Sequence, residues 1–375
     1  MSENTTKNTN CKERLQLQFR YGDIVRKVNQ SEESDVLDTI SKYTIVEPDD
    51  IMINGLNLNY DFISQRVAQV QERGVITSAY ISLRPTEIAN SRYFTYFLKS
   101  MDAKKMFHGM GTGIRLTLSY NELKNQFIPC PSPEEQTAIA NYLDTATAKI
   151  DAAIAQQQKM IDLLNERKQI IINRAVTKGL NPNAKMKDSG VEWIGEVPEG
   201  WEVRKLKHIA KLQSGDTISS DSFTETGYPV FGGNGFRGYT NRFTNDGDYV
   251  LIGRQGALCG NVNYAHGQFF ASEHAVVVYP YHKENLVWLG EVIRASNLNQ
   301  YSQSAAQPGL AVSLIQNICY PYPPKEEREG IALYIAKNIK VIDEGIKNYQ
   351  EQISLLQERK QIIINEVVTG KVKVI

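Results

Sequence analysis

No apolar run in the 375-residue chain comes near the roughly 18 residues that a membrane-spanning helix needs, and the mean hydropathy is −0.38. An integral helical membrane protein is excluded. The first ten residues, Met1–Asn10, are polar, with no apolar core behind a basic start. No secretory signal is read there, and a cytoplasmic location is expected. Cysteine is scarce: Cys11, Cys130, Cys259 and Cys319 are scattered without a C-x-x-C pair, which supports neither a disulfide framework nor a zinc ribbon. The five histidines have no metal-ligand spacing; the nearest approach, His266 with Glu273 and His274, matches no ligand pattern, so no metal centre is expected. Charge of one sign is also lacking. Forty-two basic residues balance forty-two acidic ones, so a nucleic-acid partner would require the basic residues to be gathered on one face. The chain has no Walker A sequence, no Asn-Pro-Pro-Tyr motif and no nuclease-like pair of carboxylates on a strand. No chemistry of its own is expected of it. The composition that remains, 41% hydrophobic and 22% charged, is that of an ordinary globular protein of two or three domains.

What the chain does have is an internal repeat. Pro131-Ser-Pro-Glu-Glu-Gln-Thr-Ala-Ile-Ala-Asn-Tyr-Leu143 matches Pro323-Pro-Lys-Glu-Glu-Arg-Glu-Gly-Ile-Ala-Leu-Tyr-Ile335 at an offset of 192 (323 minus 131), and the offset holds without a gap to the identical octapeptides Glu166–Asn173 and Glu358–Asn365. Within each copy the apolar positions step by four and three. The first seam is Leu143, Thr147, Ile150, Ile154, Gln157, Ile161, Leu164, Lys168, Ile171 and Ala175; the second is Ile335, Ile339, Ile342, Ile346, Tyr349, Ile353, Leu356, Lys360, Ile363 and Val367. Each is a coiled-coil strand of roughly 45 residues, about 65 Å long at ~1.5 Å per residue. Ser132 as N-cap, Pro133 in the first turn and Glu135 closing a capping box start the first, which stops at Gly179. Glu326 and Glu327 begin the second, where the helix dipole favours them. Two such helices in one chain can bury their seams on each other in antiparallel fashion, which predicts a two-headed rod with pseudo-twofold symmetry.

The segments ahead of the helices are alike in pattern. Asp50–Asn54 parallels Asp248–Ile252, Ser78–Pro85 parallels Glu273–Pro280, and Gly113-Ile-Arg115 sits where Gly309-Leu-Ala311 sits. Short strands with Gly, Asn and Asp turns, together with helical patterns at Ser91–Lys99 and Leu286–Ala295, predict mixed α/β domains. The organisation read is a first domain over 1–131, a first helix over 132–179, a linker and second domain over 180–323, and a second helix over 324–375. The second domain opens with Trp201-Glu-Val-Arg-Lys-Leu206. The first has no equivalent and reads as shortened at its N-terminus.

The Pro-x-Pro-x-Glu-Glu-Gln helix start, the end Glu166–Gly179, the linker Lys187-Asp-Ser-Gly-Val-Glu-Trp-Ile-Gly-Glu-Val-Pro198 and Trp201-Glu-Val together resemble the specificity subunit of type I restriction-modification systems over nearly the whole chain. The resemblance implies two α/β target recognition domains joined by an intramolecular antiparallel coiled coil. It implies a non-catalytic reader of double-stranded DNA, one domain per half of a bipartite site, with the helices as spacer and docking surface for two methyltransferase subunits. Those partners would carry S-adenosylmethionine, this chain would carry no cofactor, and a motor-nuclease subunit would join the core. A coiled-coil scaffold whose heads bind proteins is the alternative that the neutral charge leaves open.

Candidate DNA contacts follow. Gly233-Asn-Gly235-Phe-Arg-Gly238 matches G-x-G-x-x-G, but Tyr239–Asp246 is not helix-forming and offers no helix N-terminus for a pyrophosphate. The segment reads either as a loop that brings Asn234 and Arg237, with Arg242 beyond, to DNA, or as a structural hairpin. Arg254-Gln255 between glycines is the favoured base-reading pair, since arginine can read guanine and glutamine adenine bidentately. Gln303, Ser304 and Gln307 lie in a similar polar turn. In the first domain, Asn57, Asn59 and Tyr60 correspond to Arg254-Gln255 and Arg66 follows; Arg20, Arg26 and Lys27 flank the Tyr21-Gly22 turn, and His108 and Arg115 bracket three glycines. These last are candidates for phosphate contacts, which position without specifying sequence.

Overall fold

A computed structural model describes residues 1–28, 34–60, 65–256, 258–302 and 309–374. The chain divides into two units, Met1–Gln158 with Gln350–Ile375 and Lys159–Tyr349, so that each long helix contributes one part to each unit. In the first unit, strands β1 (Ser2–Glu3), β2 (Ile51–Ile53), β3 (Val67–Gln69) and β4 (Ile81–Arg84) form an antiparallel sheet in the order β1-β4-β2-β3. β2 is buried at every position, as a central strand covered on both faces requires. Helix α1 (Ser91–Ala103) packs on β3 and is started by Asn90, whose side chain accepts from the amides of Arg92 and Tyr93. Its Tyr93, Phe94, Phe97 and Leu98 share one core with Leu143 of helix α2 (Pro133–Lys178) and with Ile364 and Val367 of the final helix.

The second unit repeats this plan. Strands β5 (Glu202–Lys205), β6 (Ala210–Ser214), β7 (Tyr249–Gly253), β8 (Val262–Ala265), β9 (Ala275–Pro280) and β10 (Cys319–Tyr322) include an antiparallel sheet in the order β6-β9-β7-β8, the counterpart of β1-β4-β2-β3. Helix α3 (Leu286–Ala295), capped by Asn285, packs on β8 as α1 packs on β3. Two features set this unit apart. A five-stranded sheet is added, in the order Phe223–Thr224, Gly235–Thr240, Tyr228–Gly232, Gln268–Ala271, Asn245–Asp246, and β5 pairs with β10. The first unit has instead two small pairs, Leu17–Arg20 with Asp23–Arg26 and Thr44–Val46 with Gly74–Ile76.

Helix α4 (Lys325–Val368) runs antiparallel to α2 within each unit. In the second, Lys168 Nζ lies 2.7 Å from Asp343, while Ile172, Ala175 and Val176 join a core with Ile331, Ala332 and Ile335. In the first, Lys360 Nζ lies 2.7 Å from Asp151. Lys168 and Lys360 are 192 apart, as are Asp151 and Asp343, so one ion pair is made twice with the helices exchanging roles. Both aspartates are half exposed, so each pair is worth no more than about 1 kcal/mol and serves to fix register. Among the seam residues, Leu143, Thr147, Ile150, Ile161, Ala175, Ile335, Ile342 and Val367 are buried; Ile154, Leu164, Ile171, Ile346, Ile353, Leu356 and Ile363 are half-buried. Near the helix C-termini the deepest positions include Ile172 and Ile364, one residue beyond the seam, which join the domain cores together with the start of the other long helix. Ser132 Oγ accepts from the amide of Glu135, but the carboxylate that bonds the Ser132 hydroxyl is that of Glu134, held below the usual carboxylate range by its own amide and that hydroxyl. Gly179, at φ +71°, ends α2 in the left-handed conformation that glycine tolerates.

Each domain is latched to the start of its long helix by one buried side chain at equivalent positions. In the first unit, Gln136 accepts from the amide of Asn90 at 2.8 Å and donates to the carbonyls of Ile88 and Pro131. In the second, Arg328 stands 192 residues on. It donates to the Pro323 carbonyl at 2.7 Å, and its Nε lies 2.8 Å from Glu284, the residue just before the Asn285 cap. The guanidinium also lies over the rings of Trp288 and Tyr322, at 5.2 and 4.2 Å.

Candidate nucleic-acid interface

In the second unit the glycine-rich segment is a hairpin turn. Tyr228–Gly232 and Gly235–Thr240 pair up to Gly232 opposite Gly235, leaving Gly233-Asn234 as the two-residue loop. No helix follows, in keeping with the exclusion of a dinucleotide site. The end of β7 crosses this turn so closely that a Cβ on Gly253 would lie 2.0 Å from the Gly233 carbonyl; only glycine fits there. That crossing brings Asn234 beside Arg254 and Gln255. Asn234 is exposed and its Oδ1 accepts from Asn261 at 3.0 Å; Gln255 is exposed. Arg254 is half-buried. Its Nη1 donates to Ser214 at 2.8 Å, its amide to the His274 carbonyl at 3.0 Å, and its Nε is buried without a partner. Part of this guanidinium therefore braces the site, and the exposed amides of Gln255 and Asn234 stand outermost. Arg237 and Arg242, both exposed, lie on or just beyond the added sheet, over the rings of Phe223 and Phe270. Gln303, Ser304 and Gln307 lie outside the described residues.

Asn261, Asn263 and His274 complete this cluster and were not among the predicted residues. Asn263 Nδ2, Ser272 Oγ, Glu273 Oε2 and His274 Nδ1 are, like Arg254 Nε, buried polar atoms without a partner. The alternating Asn261-Val-Asn263 was the available signal, since alternate residues of a strand share a face.

In the first unit the Leu118 amide donates to the Gly55 carbonyl, as Leu310 donates to Arg254. Gly55-Leu56 is thus the true equivalent of Arg254-Gln255, and Asn57, Asn59 and Tyr60 follow it, all exposed. By the same pairing Thr117-Leu118, not Gly113–Arg115, stands where Gly309-Leu310 stands. Arg66 is half-buried and braces its loop: its guanidinium donates to the carbonyls of Asn54, Leu56 and Asn57. Arg26 is held in a two-pronged pair with Glu72 at 2.6 Å, which raises the arginine above its ordinary pKa. Arg20, Lys27 and Arg115 are exposed and His108 is half-buried, its Nδ1 without a partner. The structure brings the second-unit residues together more tightly than those of the first.

The long helices hold a second candidate surface that the seam analysis passed over. Tyr142 and Tyr334, Leu163 and Leu355, Ile170 and Ile362 are paired at the 192 offset, lie off the seam, and are all 41% to 64% exposed. These large side chains are identical in both copies and left exposed, which makes them a candidate contact surface present twice. Leu163 and Ile170, and Leu355 and Ile362, are seven residues apart and so share a helix face.

A family model described as a type I restriction modification DNA specificity domain matches residues 28–161 and 198–363. The chain is 36% identical over 215 residues to the type I restriction enzyme EcoprrI specificity subunit of Escherichia coli, a match spanning 56% of this chain and about half, 51%, of that protein. It is 26% identical over 368 residues to the MjaVIII specificity subunit of Methanocaldococcus jannaschii, spanning 89% and 81%. Among solved structures, a chain from a study of assembly and conformational transition of the type I R-M system superposes with a TM-score of 0.71 at 14% identity, covering 98% of this chain and 95% of that one. The HsdS subunit of Thermoanaerobacter tengcongensis superposes at 0.50 and 15% identity, covering 99% and 95%.

Proposed function

Because the chain belongs to the type I restriction-modification DNA specificity family, we propose that it reads a bipartite site in double-stranded DNA, one half with each α/β domain, for two methyltransferase subunits seated on its long helices. The observation that carries this reading is the doubling: the two ion pairs and the three exposed apolar pairs of the long helices recur at the 192 offset, and the sheet β1-β4-β2-β3 recurs in strand order as β6-β9-β7-β8. A doubled set of elements of this kind suits two copies of one partner and two half-sites. Differences between the domains then carry sequence choice, and the added five-stranded sheet with Arg237 and Arg242 is the largest of them. S-adenosylmethionine belongs, on this reading, to the methyltransferases. A motor-nuclease subunit completes the restricting form.

In the second domain, Asn234 and Gln255 read base edges and Arg254 supports them and reaches the same groove. Binding weakens steeply as salt rises, because phosphate contacts release counterions; a salt-insensitive complex would favour the protein scaffold. Substituting Gln255→Ala or Arg254→Ala costs about 1–3 kcal/mol on the cognate duplex and little on random sequence, measured by competition binding with the methyltransferase-loaded chain. Equal loss on both duplexes would reduce the pair to phosphate contacts.

A further inference from the structure

A cation that the second unit neutralises stands unanswered in the first. Helices α1 and α3 begin at the equivalent caps Asn90 and Asn285, which places Thr95, Tyr96 and Lys99 where Gly290, Glu291 and Arg294 stand. On the sheets that these helices cover, Gly55 stands for Arg254, so Ile51 and Ile53 stand for Val250 and Ile252. Ile51 pairs with Gln69 and Ile53 with Val67, as Val250 pairs with Tyr264 and Ile252 with Val262. Gln69 therefore occupies the place of Tyr264.

In the second unit these positions form a closed set. Glu291, 5% exposed, accepts from the Tyr264 hydroxyl at 2.8 Å and from Arg294 Nε at 3.1 Å. Tyr264 lies so tightly on α3 that a Cβ on Gly290 would collide with its hydroxyl. In the first unit the same place is open. The Gln69 amide turns to Asp49 and Ser91, at 2.7 and 2.9 Å, and the Tyr96 hydroxyl to Asp144 at 2.8 Å. Lys99 has neither a hydrogen bond nor an ion pair with any described residue; Asp23, Asp151 and Asp102 act on it only through space. Burial holds its pKa below the usual lysine value, as expected of a charge without a bonded partner. Thr95 is 7% exposed, lies one turn before Lys99 on the same face of α1, and has a hydroxyl with no partner. Both side chains line a polar cavity of about 500 Å³ whose other walls include Asp23, Val25 and Gln71.

We propose that this cavity binds a small carboxylate, whose head takes the place that the Glu291 carboxylate has in the second unit, with Lys99 Nζ and the Thr95 hydroxyl as its donors. A singly charged head balances the one lysine that lacks a partner. Asp23 and Asp144 on the same walls repel a doubly charged anion such as hydrogen phosphate. The inference does not rest on the DNA reading.

Carbon-13-labelled acetate is titrated into the full chain at constant ionic strength, acetate replacing chloride, and binding is read from the broadening of its carboxylate resonance. Saturable broadening is expected in the parent chain and in Lys99→Arg, and Lys99→Met weakens it by at least about tenfold. Because Lys99→Met removes an unpaired charge, its urea midpoint, followed by circular dichroism, should not fall, which separates loss of binding from loss of fold. Tyr96→Glu copies Glu291 beside Lys99; its own carboxylate fills the site and abolishes acetate binding, and it decides the matter should the Lys99→Met midpoint fall. Absence of saturable broadening in the parent chain, binding that Lys99→Met or Tyr96→Glu leaves unchanged, or inorganic phosphate displacing acetate at lower concentration than acetate itself would overturn the proposal.

Discussion

Replacing Arg328 by alanine lowers the stability of the second unit by about 3–5 kcal/mol, the cost of stranding one half of a buried ion pair. Glu284, its side chain 2% exposed, would lose its cation and keep only the Tyr322 hydroxyl, which donates to it at 2.7 Å. Tyr322 itself is raised above its ordinary pKa, first by burial and then by its bond to Glu284; it stays a neutral donor and supplies no positive charge. All three tryptophans, Trp193, Trp201 and Trp288, lie in this unit. Tryptophan fluorescence in urea therefore reports it separately. The midpoint should fall in Arg328→Ala and recover most of the way in Arg328→Met with Glu284→Leu, which removes both charges and keeps the volume. Gln136→Ala at the equivalent latch loses neutral hydrogen bonds, about 1–3 kcal/mol, and leaves the tryptophan transition in place. An unchanged midpoint in Arg328→Ala would mean that the latch does not hold the second domain.

Leu163→Asp with Ile170→Asp is expected to remove one methyltransferase subunit from the complex, and Leu355→Asp with Ile362→Asp the other. All four side chains are exposed in the free chain, so folding is spared, whereas a carboxylate buried in an interface costs about 2–4 kcal/mol, roughly thirty- to a thousandfold in affinity. Native mass spectrometry should show two subunits on the parent chain, one on each double variant and none on the fourfold variant. Two subunits retained on either double variant would move the docking surface elsewhere.

The first long helix was legible to within a residue at each end and the second at its start, because a heptad seam and a gapless repeat are written in sequence at short range; the second, read to 375, ends at Val368, just ahead of Gly370 in the left-handed conformation. Legible too were the strands β2, β4, β7 and β9, short runs buried at successive positions and bounded by turn residues, and both short helices, with their 3.6-residue period. What the periodicity could not give was side-chain direction in turns. Arg66 and Arg254 carry the same charge as Arg237, yet the carbonyls of a tight turn draw one inward and Ser214 holds part of the other. Glu134 in place of Glu135 on Ser132 is a rotamer choice that no spacing rule encodes.

The proposal that two domains read two half-sites for a shared pair of methyltransferases is tested most directly by sequencing of modified bases. DNA from cells expressing this chain with a methyltransferase subunit should carry a methylated motif in two defined halves separated by a gap of fixed length, and substitutions at Gln255 and Arg237 should change one half while leaving the other and the gap intact. A single undivided motif, a gap of variable length, or methylation that does not depend on this chain would contradict the account.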